Sequence, residues 1–372
     1  MPIVAHSALP TFIKMMNEGE NVLSQERAEQ QDIRELHIGL LNMMPDAALE
    51  ATERQFFRLI GACNRIAQFY VHPFSFPEIP RSQSAQDYID KYYEKFEDLQ
   101  KLGLDALIIS GANPQSDDLS NEPFWIPLQK TLDWAKDNVT STLCACLATH
   151  ATVQHFHDIK RQKLESKRWG VFSHRVQDQT HPLVRHINTR FDVPHSRWND
   201  LSSENLHAVG IKVLVKSKVA GVHLAVSEDG FRFVYFQGHP EYEINSLLKE
   251  YKREVQRFIK KEIKLYPPFP THYFGQKAKD LLESYEALVV SYLNENKDID
   301  IDINSDKAQI LFKSLFNKFP EEQVLAHIDN TWNDTGKILI NNWLGLVYQL
   351  TNSQRDLPFM DGIDKNNPLD GF

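Results

Sequence analysis

The stretch Thr140–Phe156, TSTLCACLATHATVQHF, places a short apolar run, a cysteine and a helical segment in immediate succession. The run Thr140–Cys146 has the length of a buried strand, and Ala148–Phe156 has the residue spacing of a helix. A strand that leads directly into a helix is the repeating unit of sheets that are covered by helices on both faces. The stretch therefore predicts an α/β fold in which Cys146 lies at the turn between a strand and a helix.

The same alternation of strands and helices reaches back toward the amino terminus. Apolar runs predict strands at His37–Asn42, Ile66–Val71 and Ala106–Ile109, and residues 49–60, 88–99 and 128–135 have helical spacing. Because each predicted strand is followed by a predicted helix, we expect a mostly parallel sheet flanked by helices.

The pattern changes after residue 157. Three closely spaced apolar runs, Ile211–Val215, Val222–Val226 and Phe231–Phe236, predict antiparallel hairpins. Helices are predicted at Ile244–Ile263, Ala308–Phe316 and Trp332–Leu350, with a polar, acidic linker at Lys297–Asp306. We therefore expect a catalytic domain over residues 1–296. The linker and a C-terminal helical extension, residues 297–372, are expected to pack on that same domain.

Composition and charge exclude several classes of protein. Of the 372 residues, 42% are hydrophobic and 24% are charged, which is typical of a globular chain and not of a disordered one. The net charge of −9 gives no electrostatic reason to bind nucleic acid, and no apolar stretch is long enough to span a bilayer. The amino terminus lacks the pattern of a secretory signal, so we expect a cytoplasmic protein without nucleic-acid or membrane partners.

The cysteines predict neither disulfides nor metal binding. Cys63, Cys144 and Cys146 are few and odd in number, as expected of a reducing compartment. The sequence has no CxxC pair, and His155 and His157 do not share a helix face. We therefore expect no metal site and no bound cofactor.

Two positions carry the residue types of nucleophilic catalysis. Cys146 precedes a predicted helix, whose amino terminus favours a thiolate and offers backbone N–H groups to an oxyanion. His239 follows the predicted strand Phe231–Phe236, and Glu241 is two residues further along, within reach of the far ring nitrogen. A carboxylate is the usual orienting group of a catalytic histidine. Taken alone, however, Cys146 is better described as a small, buried apolar residue, as most cysteines are.

Together these segments resemble the class I glutamine amidotransferase-like (flavodoxin-like) fold with its Cys–His–Glu triad. Within that fold the chain is similar to the homoserine O-acyltransferase family of methionine biosynthesis, which includes succinyl- and acetyltransferases. The matching segments are LLNMMP (Leu40–Pro45), TERQFFRLI (Thr52–Ile60), FEDLQKLGLDALIISGA (Phe96–Ala112), NVTSTLCAC (Asn138–Cys146), KRWGVF (Lys167–Phe172), VPHSRWNDL (Val193–Leu201), GHPEYE (Gly238–Glu243) and NNWLGLVYQLT (Asn341–Thr351). Their order and spacing through most of the chain carry the resemblance.

The resemblance implies a ping-pong transfer of an acyl group from acyl-CoA to the hydroxyl of L-homoserine, the first committed step of methionine biosynthesis. Cys146 would carry the acyl group as a thioester, His239 would act as general base, and Glu241 would orient His239. It also implies small-molecule substrates only, and we expect a homodimer.

Further positions match the family's binding residues. Lys167, Ser196 and Arg253 correspond to substrate-binding positions, and backbone amides at Ala112 and Leu147 would form the oxyanion hole. The guanidinium of Arg253 is suited to an amino-acid carboxylate because it can donate two parallel hydrogen bonds.

One loop position separates the acyl donors in this family. Four residues after the first glycine of the SGA motif, acetyl users tend to have Glu and succinyl users Gly, whereas this chain has Gln115. The bulk of Gln115 argues for acetyl, and its neutral amide, which can donate to a carboxylate, permits succinyl. Leu147 replaces the family's usual Trp beside the nucleophile and opens room. These features narrowly favour succinyl-CoA over acetyl-CoA.

Three other functions remain open on the sequence. Serine is a rival acceptor, since a pocket separates substrates that differ by one methylene by only about 1–3 kcal/mol. A class I glutaminase would use the same triad, but such enzymes usually have GxCxG, where this chain has Cys144 and Ala148. The third is a non-catalytic binding or regulatory member of the family, against which the intact triad argues.

Overall fold

The computed structural model describes residues 3–63, 67–295, 306–355 and 357–372. The strands are β1 (Ile3–Ala5), β2 (Val22–Ser24), β3 (Glu35–Met43), β4 (Gln68–Phe74), β5 (Ala106–Ala112), β6 (Ser141–Ala145), β7 (Gln162–Val176), β8 (Arg190–Asp200), β9 (Lys212–Ser217), β10 (Gly221–Val226) and β11 (Phe233–Phe236). The α-helices are α1 (Pro10–Asn17), α2 (Gln25–Glu29), α3 (Asp46–Gly61), α4 (Gln83–Tyr92), α5 (Phe96–Leu102), α6 (Trp125–Asn138), α7 (Leu147–His157), α8 (Ser203–His207), α9 (Ser246–Ile259), α10 (Gln276–Glu295), α11 (Asp306–Phe316), α12 (Glu321–Leu325) and α13 (Asn333–Leu350). No helix in the described part of the chain is both long and apolar enough to cross a membrane.

The described strands form one sheet in the order β2-β1-β4-β3-β5-β6-β11-β10-β9-β7-β8. Every pairing from β2 across to β11 is parallel. Strand β10 is antiparallel to both β11 and β9, and β9 is antiparallel to β7. The prediction of a mostly parallel α/β sheet followed by hairpins is therefore confirmed.

The order of the central strands explains how distant parts of the sequence meet. Strands β5, β6 and β11 are neighbours and run parallel, so their carboxyl ends lie at one edge of the sheet. In open α/β sheets this edge is where ligands bind. The turns that follow these three strands begin near Ala112, Cys146 and His239.

The sheet is buried by apolar residues on both faces, as expected for parallel strands. Strand β3 alternates between the two core clusters, with Leu40 in one and Leu41 in the other, and both are fully buried. Helix α13 contributes Trp343, whose indole N–H donates to Ser141 Oγ at 2.8 Å. Burying each large apolar side chain contributes about 1.5–3 kcal/mol, so these two clusters stabilise the strand ends that position the site.

Internal contacts divide the chain into two compact units. The first comprises Met1–Arg168, Ser173–Glu241 and Trp332–Phe372, and the second comprises Trp169–Phe172 and Tyr242–Thr331. The second unit contains helices α9 to α12 and a buried aromatic group around Tyr251, whose ring lies 5.4 Å from that of Phe274. The predicted domain boundary between residues 296 and 297 lies outside the described residues, as does the predicted linker except for Asp306, and both stay predictions.

Candidate active site

Cys146 occupies a strained turn between β6 and α7. Its φ is +52°, a region that a residue with a side chain adopts at a cost of about 1–3 kcal/mol. The turn is held by hydrogen bonds: the N–H of Cys146 donates to Phe236 O at 2.7 Å, and Thr149 Oγ1 donates to Cys144 O at 2.8 Å. This conformation sets the thiol at the carboxyl edge of the sheet, as the strand–helix pattern predicted.

The three cysteines differ in accessibility. Cys63 and Cys144 are buried, and burial raises the pKa of each thiol to about 12. Cys146 is partly exposed. Because the thiolate is the reactive form, Cys146 is the cysteine whose environment suits nucleophilic chemistry.

His239 and Glu241 form a buried pair in the loop after β11. The Nδ1–H of His239 donates to Glu241 Oε1 at 2.7 Å, and both residues are 8% exposed. The charge of Cys146 also acts on this ring, so the two side chains are close neighbours. Although burial opposes it, the negative charges of Glu241 and Cys146 raise the pKa of His239 well above its ordinary value. The three side chains thus form one charged array.

The loop that carries His239 is fixed by buried hydrogen bonds. The backbone N–H of His239 donates to Pro194 O at 2.9 Å. The side chain of Gln237 accepts from the backbone N–H of Leu201 at 3.0 Å and lies 3.0 Å from His150 Nε2 on α7. These contacts connect the loop to β8 and to the helix that follows the nucleophile.

A cavity of about 470 Å³ opens beside Cys146. Its lining includes the predicted site residues Ala112, Gln115, Leu147 and Ser196. The cavity therefore brings together the predicted nucleophile, the predicted oxyanion-hole positions, the predicted donor-selectivity position and one predicted substrate-binding residue.

The backbone at the end of β5 lies next to Cys146. A Cβ placed on Gly111 would be 3.7 Å from the Cβ of Cys146. Leu147 is the first residue of α7, where backbone N–H groups are not used within the helix. Ala112 and Leu147 both lie close to Cys146 along the chain or in space, and their oxyanion-hole role stays a prediction.

Two predicted binding residues lie outside the lining of this cavity. Lys167 is a partly exposed residue of β7. Arg253 is on α9 in the second unit, its side chain is 55% exposed, and its Nε lies 3.9 Å from Glu254 Oε1. The roles assigned to both residues stay predictions.

The cavity also contains basic residues that the sequence did not single out. Arg161, Lys163 and Arg197 line it together with Trp198. Arg197 is buried and donates to Asp200 Oδ1 at 3.0 Å, so its charge is neutralised inside the protein. Arg161 instead donates to the main-chain oxygens of Ser116 at 2.8 Å and Asp117 at 3.3 Å. No motif marks Arg161, which lies between two elements and gains its position only from the fold.

The fold and this site together define an α/β protein in which a cysteine at a strand–helix turn is paired with a buried histidine–glutamate couple. A family model described as homoserine O-succinyltransferase matches residues 2–353. The chain is 57% identical to homoserine O-succinyltransferase of Methylobacter tundripaludum and 53% identical to that of Nitrosococcus oceani, covering 99% of this chain and 99% and 98% of those proteins. The chain belongs to the homoserine O-succinyltransferase family, a family of acyltransferases.

Among solved structures, the chain is similar to a glutamine amidotransferase from Thermotoga maritima. The match has 10% sequence identity and a TM-score of 0.39, and it covers 84% of this chain and 97% of that one. The family resemblance that the sequence motifs predicted is confirmed by the family model and by the full-length relatives.

Proposed function

We propose that the protein transfers a succinyl group from succinyl-CoA to the hydroxyl of L-homoserine by way of a thioester on Cys146. The observation that carries the proposal is the group formed by Cys146, His239 and Glu241, with Cys146 opening on a cavity that Arg161 also lines. Homoserine O-succinyltransferase is the name of the full-length relatives, which supports the choice of both substrates.

The first half-reaction forms the acyl-enzyme. The Cys146 thiolate attacks the thioester carbonyl of succinyl-CoA, and the oxyanion that develops accepts hydrogen bonds from the backbone N–H groups of Ala112 and Leu147. Because its pKa is raised, His239 is protonated and can donate that proton to the departing CoA thiolate. Free CoA leaves, and the succinyl group remains on Cys146.

The second half-reaction uses the same groups in reverse. Neutral His239 accepts the proton of the homoserine hydroxyl while its oxygen attacks the succinyl-thioester. The same oxyanion site stabilises the second tetrahedral intermediate. Collapse releases O-succinyl-homoserine and restores the Cys146 thiolate beside protonated His239.

Arg161 supports succinyl as the acyl group. Its hydrogen bonds go to main-chain oxygens, and the nearby carboxylates of Asp117, Glu122 and Asp118 favour its charge against burial, so the guanidinium stays charged in the cavity beside Cys146. A succinyl group ends in a carboxylate and an acetyl group does not. A charged hydrogen bond to that carboxylate is worth about 1.5–3 kcal/mol, which favours the succinyl donor.

A selectivity measurement tests the role of Arg161. Arg161→Gln is expected to lower the ratio of kcat/KM for succinyl-CoA over acetyl-CoA by about tenfold or more, because the variant loses the charge that binds the succinyl carboxylate. Lys163→Gln is the matched control, since Lys163 lines the same cavity with a side chain that is 71% exposed. If both variants have the same ratio of kcat/KM as the wild type, Arg161 does not bind the succinyl carboxylate.

Gln115→Glu should also lower the ratio of kcat/KM for succinyl-CoA over acetyl-CoA, because it adds a charge that repels the succinyl carboxylate.

A second kinetic test concerns the acceptor. Arg253→Ala is expected to raise KM for homoserine about tenfold or more while changing KM for the acyl donor little, because a guanidinium–carboxylate contact is worth about 1.5–3 kcal/mol. Lys249→Ala on the same helix is the control, with a side chain that is 53% exposed. An equal rise in both KM values would contradict an acceptor-binding role for Arg253.

The proposed function itself is tested by CoA release. Succinyl-CoA and homoserine together should give turnover, and succinyl-CoA alone should give one equivalent of CoA with a succinylated cysteine. Glutamine hydrolysis is the control for a glutaminase. Turnover of glutamine without transfer from either acyl-CoA would overturn the proposal.

A further inference from the structure

Among the residues that the structure describes, one group of three side chains has the composition of a metal site. His6 follows β1, His72 is on β4 and Glu94 follows α4, and their ligand atoms lie within 4.8 Å of one another. Two imidazoles and one carboxylate are a ligand set used by zinc, with water as the fourth ligand. The three residues therefore combine the right donor types with convergence on one point.

The orientation of His6 leaves a lone pair facing this point. Its Nδ1–H donates to the main-chain oxygen of Val4 at 3.0 Å, so the neutral ring carries its lone pair on Nε2. Nε2 is buried, has no hydrogen-bond partner among the described residues and lies 3.7 Å from Glu94 Oε1. A ring nitrogen with a lone pair and a carboxylate oxygen are both acceptors, so this contact is favourable only with a cation between them.

The contacts of His72 also lack a hydrogen or a cation. His72 Nδ1 lies 2.6 Å from Glu94 Oε1, its Nε2 lies 2.9 Å from His37 Nδ1, and His37 Nε2 lies 3.3 Å from Glu35 Oε2. This series of hydrogen bonds thus has a carboxylate at each end. Three contacts need three hydrogens, whereas two neutral imidazoles supply only two. One further positive charge is required to make all three contacts favourable.

A metal ion at Nδ1 of His72 supplies that charge. The proton of His72 then resides on Nε2 and is donated to His37 Nδ1, and His37 donates its own Nε2–H to Glu35. This is the arrangement in which an outer hydrogen bond orients a metal-bound histidine. An extra proton would also satisfy the count, and the stability of the protein with and without Zn²⁺ at different pH values separates a proton from a metal ion.

We propose that His6, His72 and Glu94 bind one divalent transition-metal ion, with zinc as the best match, and that the ion joins the ends of β1 and β4 to the segment after α4. Tetrahedral ligands at about 2.1 Å from zinc are about 3.4 Å apart, so the 3.7 Å and 2.6 Å contacts to Glu94 need only small adjustments. The site uses residues far apart in the sequence, which is why the absence of a CxxC pair did not predict it.

The surroundings suit a structural ion with an entry path. The ring of His6 lies 5.7 Å from Phe12 and 5.5 Å from Tyr70, which gives the site an aromatic wall. The side chain of Glu94 is 35% exposed, so solvent reaches the site from that side. Strand β4 is three strand spacings from β6, about 14 Å, so the ion would act on stability and not on the chemistry of Cys146.

Cobalt binding tests the site in the full chain. The Cys146→Ala variant is stripped with a chelator and titrated with Co²⁺, so that the thiolate of the candidate active site cannot contribute. We expect one equivalent to bind with the visible absorption of a tetrahedral nitrogen–oxygen site, and Zn²⁺ to displace it and to raise the melting temperature. His6→Ala and Glu94→Gln should each weaken binding by at least about tenfold.

A matched control removes another imidazole that is paired with a carboxylate. His155 Nε2 lies 2.7 Å from Asp133 Oδ1 outside the cluster, so His155→Ala should leave cobalt binding unchanged. The proposal is overturned if cobalt does not bind stoichiometrically, or if His155→Ala weakens binding as much as His6→Ala does. The remaining outcome is that the metal-free protein is unaffected by Zn²⁺ and becomes more stable between pH 8 and pH 6. That result would show that a proton supplies the missing charge, and it would equally overturn the metal site.

Discussion

Replacing Cys146 with alanine is expected to abolish acyl transfer, by about a thousandfold or more, because the thioester intermediate cannot form without the sulfur. The variant should remain folded, since the Cys146 side chain is partly exposed and the turn is held by main-chain and Thr149 hydrogen bonds. Alanine at φ +52° bears the same backbone cost as cysteine. Turnover and thermal unfolding of the same preparation measure the two expectations.

The position of the covalently bound succinyl group distinguishes Cys146 from the other cysteines. Mass spectrometry of the wild-type protein with succinyl-CoA alone should place one succinyl group on Cys146. Cys63→Ala is the control, because Cys63 is buried and should retain activity, with any loss limited to stability. A succinyl group on Cys63 or Cys144, or turnover by Cys146→Ala, would contradict the assignment.

The fold could be predicted where apolar runs were long enough. Strands β3, β5 and β6 are nearly continuous apolar segments, and the observed bounds enclose or nearly match the predicted runs. Strands β1 and β2 have three residues each, which is too short for a periodic signal. Strand β7 begins with exposed polar residues, so its first half has no strand pattern. Short or exposed strands are defined by their pairing partners, which the sequence does not display.

The sequence predicts the reactive residues of the candidate site but not the residues that surround them. Cys146, His239 and Glu241 follow strand ends, and the parallel order of β6 and β11 brings those ends together. Arg161 precedes β7 and has no motif, because the role proposed for it depends on a charge in a cavity that residues from several parts of the chain line. The cluster of His6, His72 and Glu94 was missed for the same reason, since its residues come from three separate parts of the chain that only the fold brings together.

Substitution of His239 is expected to give the second large loss of activity, and substitution of Glu241 a smaller one. His239→Asn removes the group that is proposed as both acid and base, and it should lower kcat/KM by about a thousandfold, within the range for general acid–base catalysis. Glu241→Gln keeps the shape of the partner but removes its charge, so a smaller loss of about ten- to a hundredfold is expected. A rate for Glu241→Gln equal to that of the wild type would mean that Cys146 and His239 suffice alone.

The pH dependence decides whether Glu241 acts through its charge. The carboxylate of Glu241 is one of the charges that hold the pKa of His239 above its ordinary value. Removing that charge lowers the pKa, so His239 loses its proton at a lower pH. In the proposed mechanism protonated His239 is the acid that releases CoA, so the alkaline limb of the pH–rate profile should move to lower pH in Glu241→Gln. A loss of rate with an unmoved alkaline limb would make Glu241 a packing residue, whereas a shifted limb identifies it as the group that positions and charges His239.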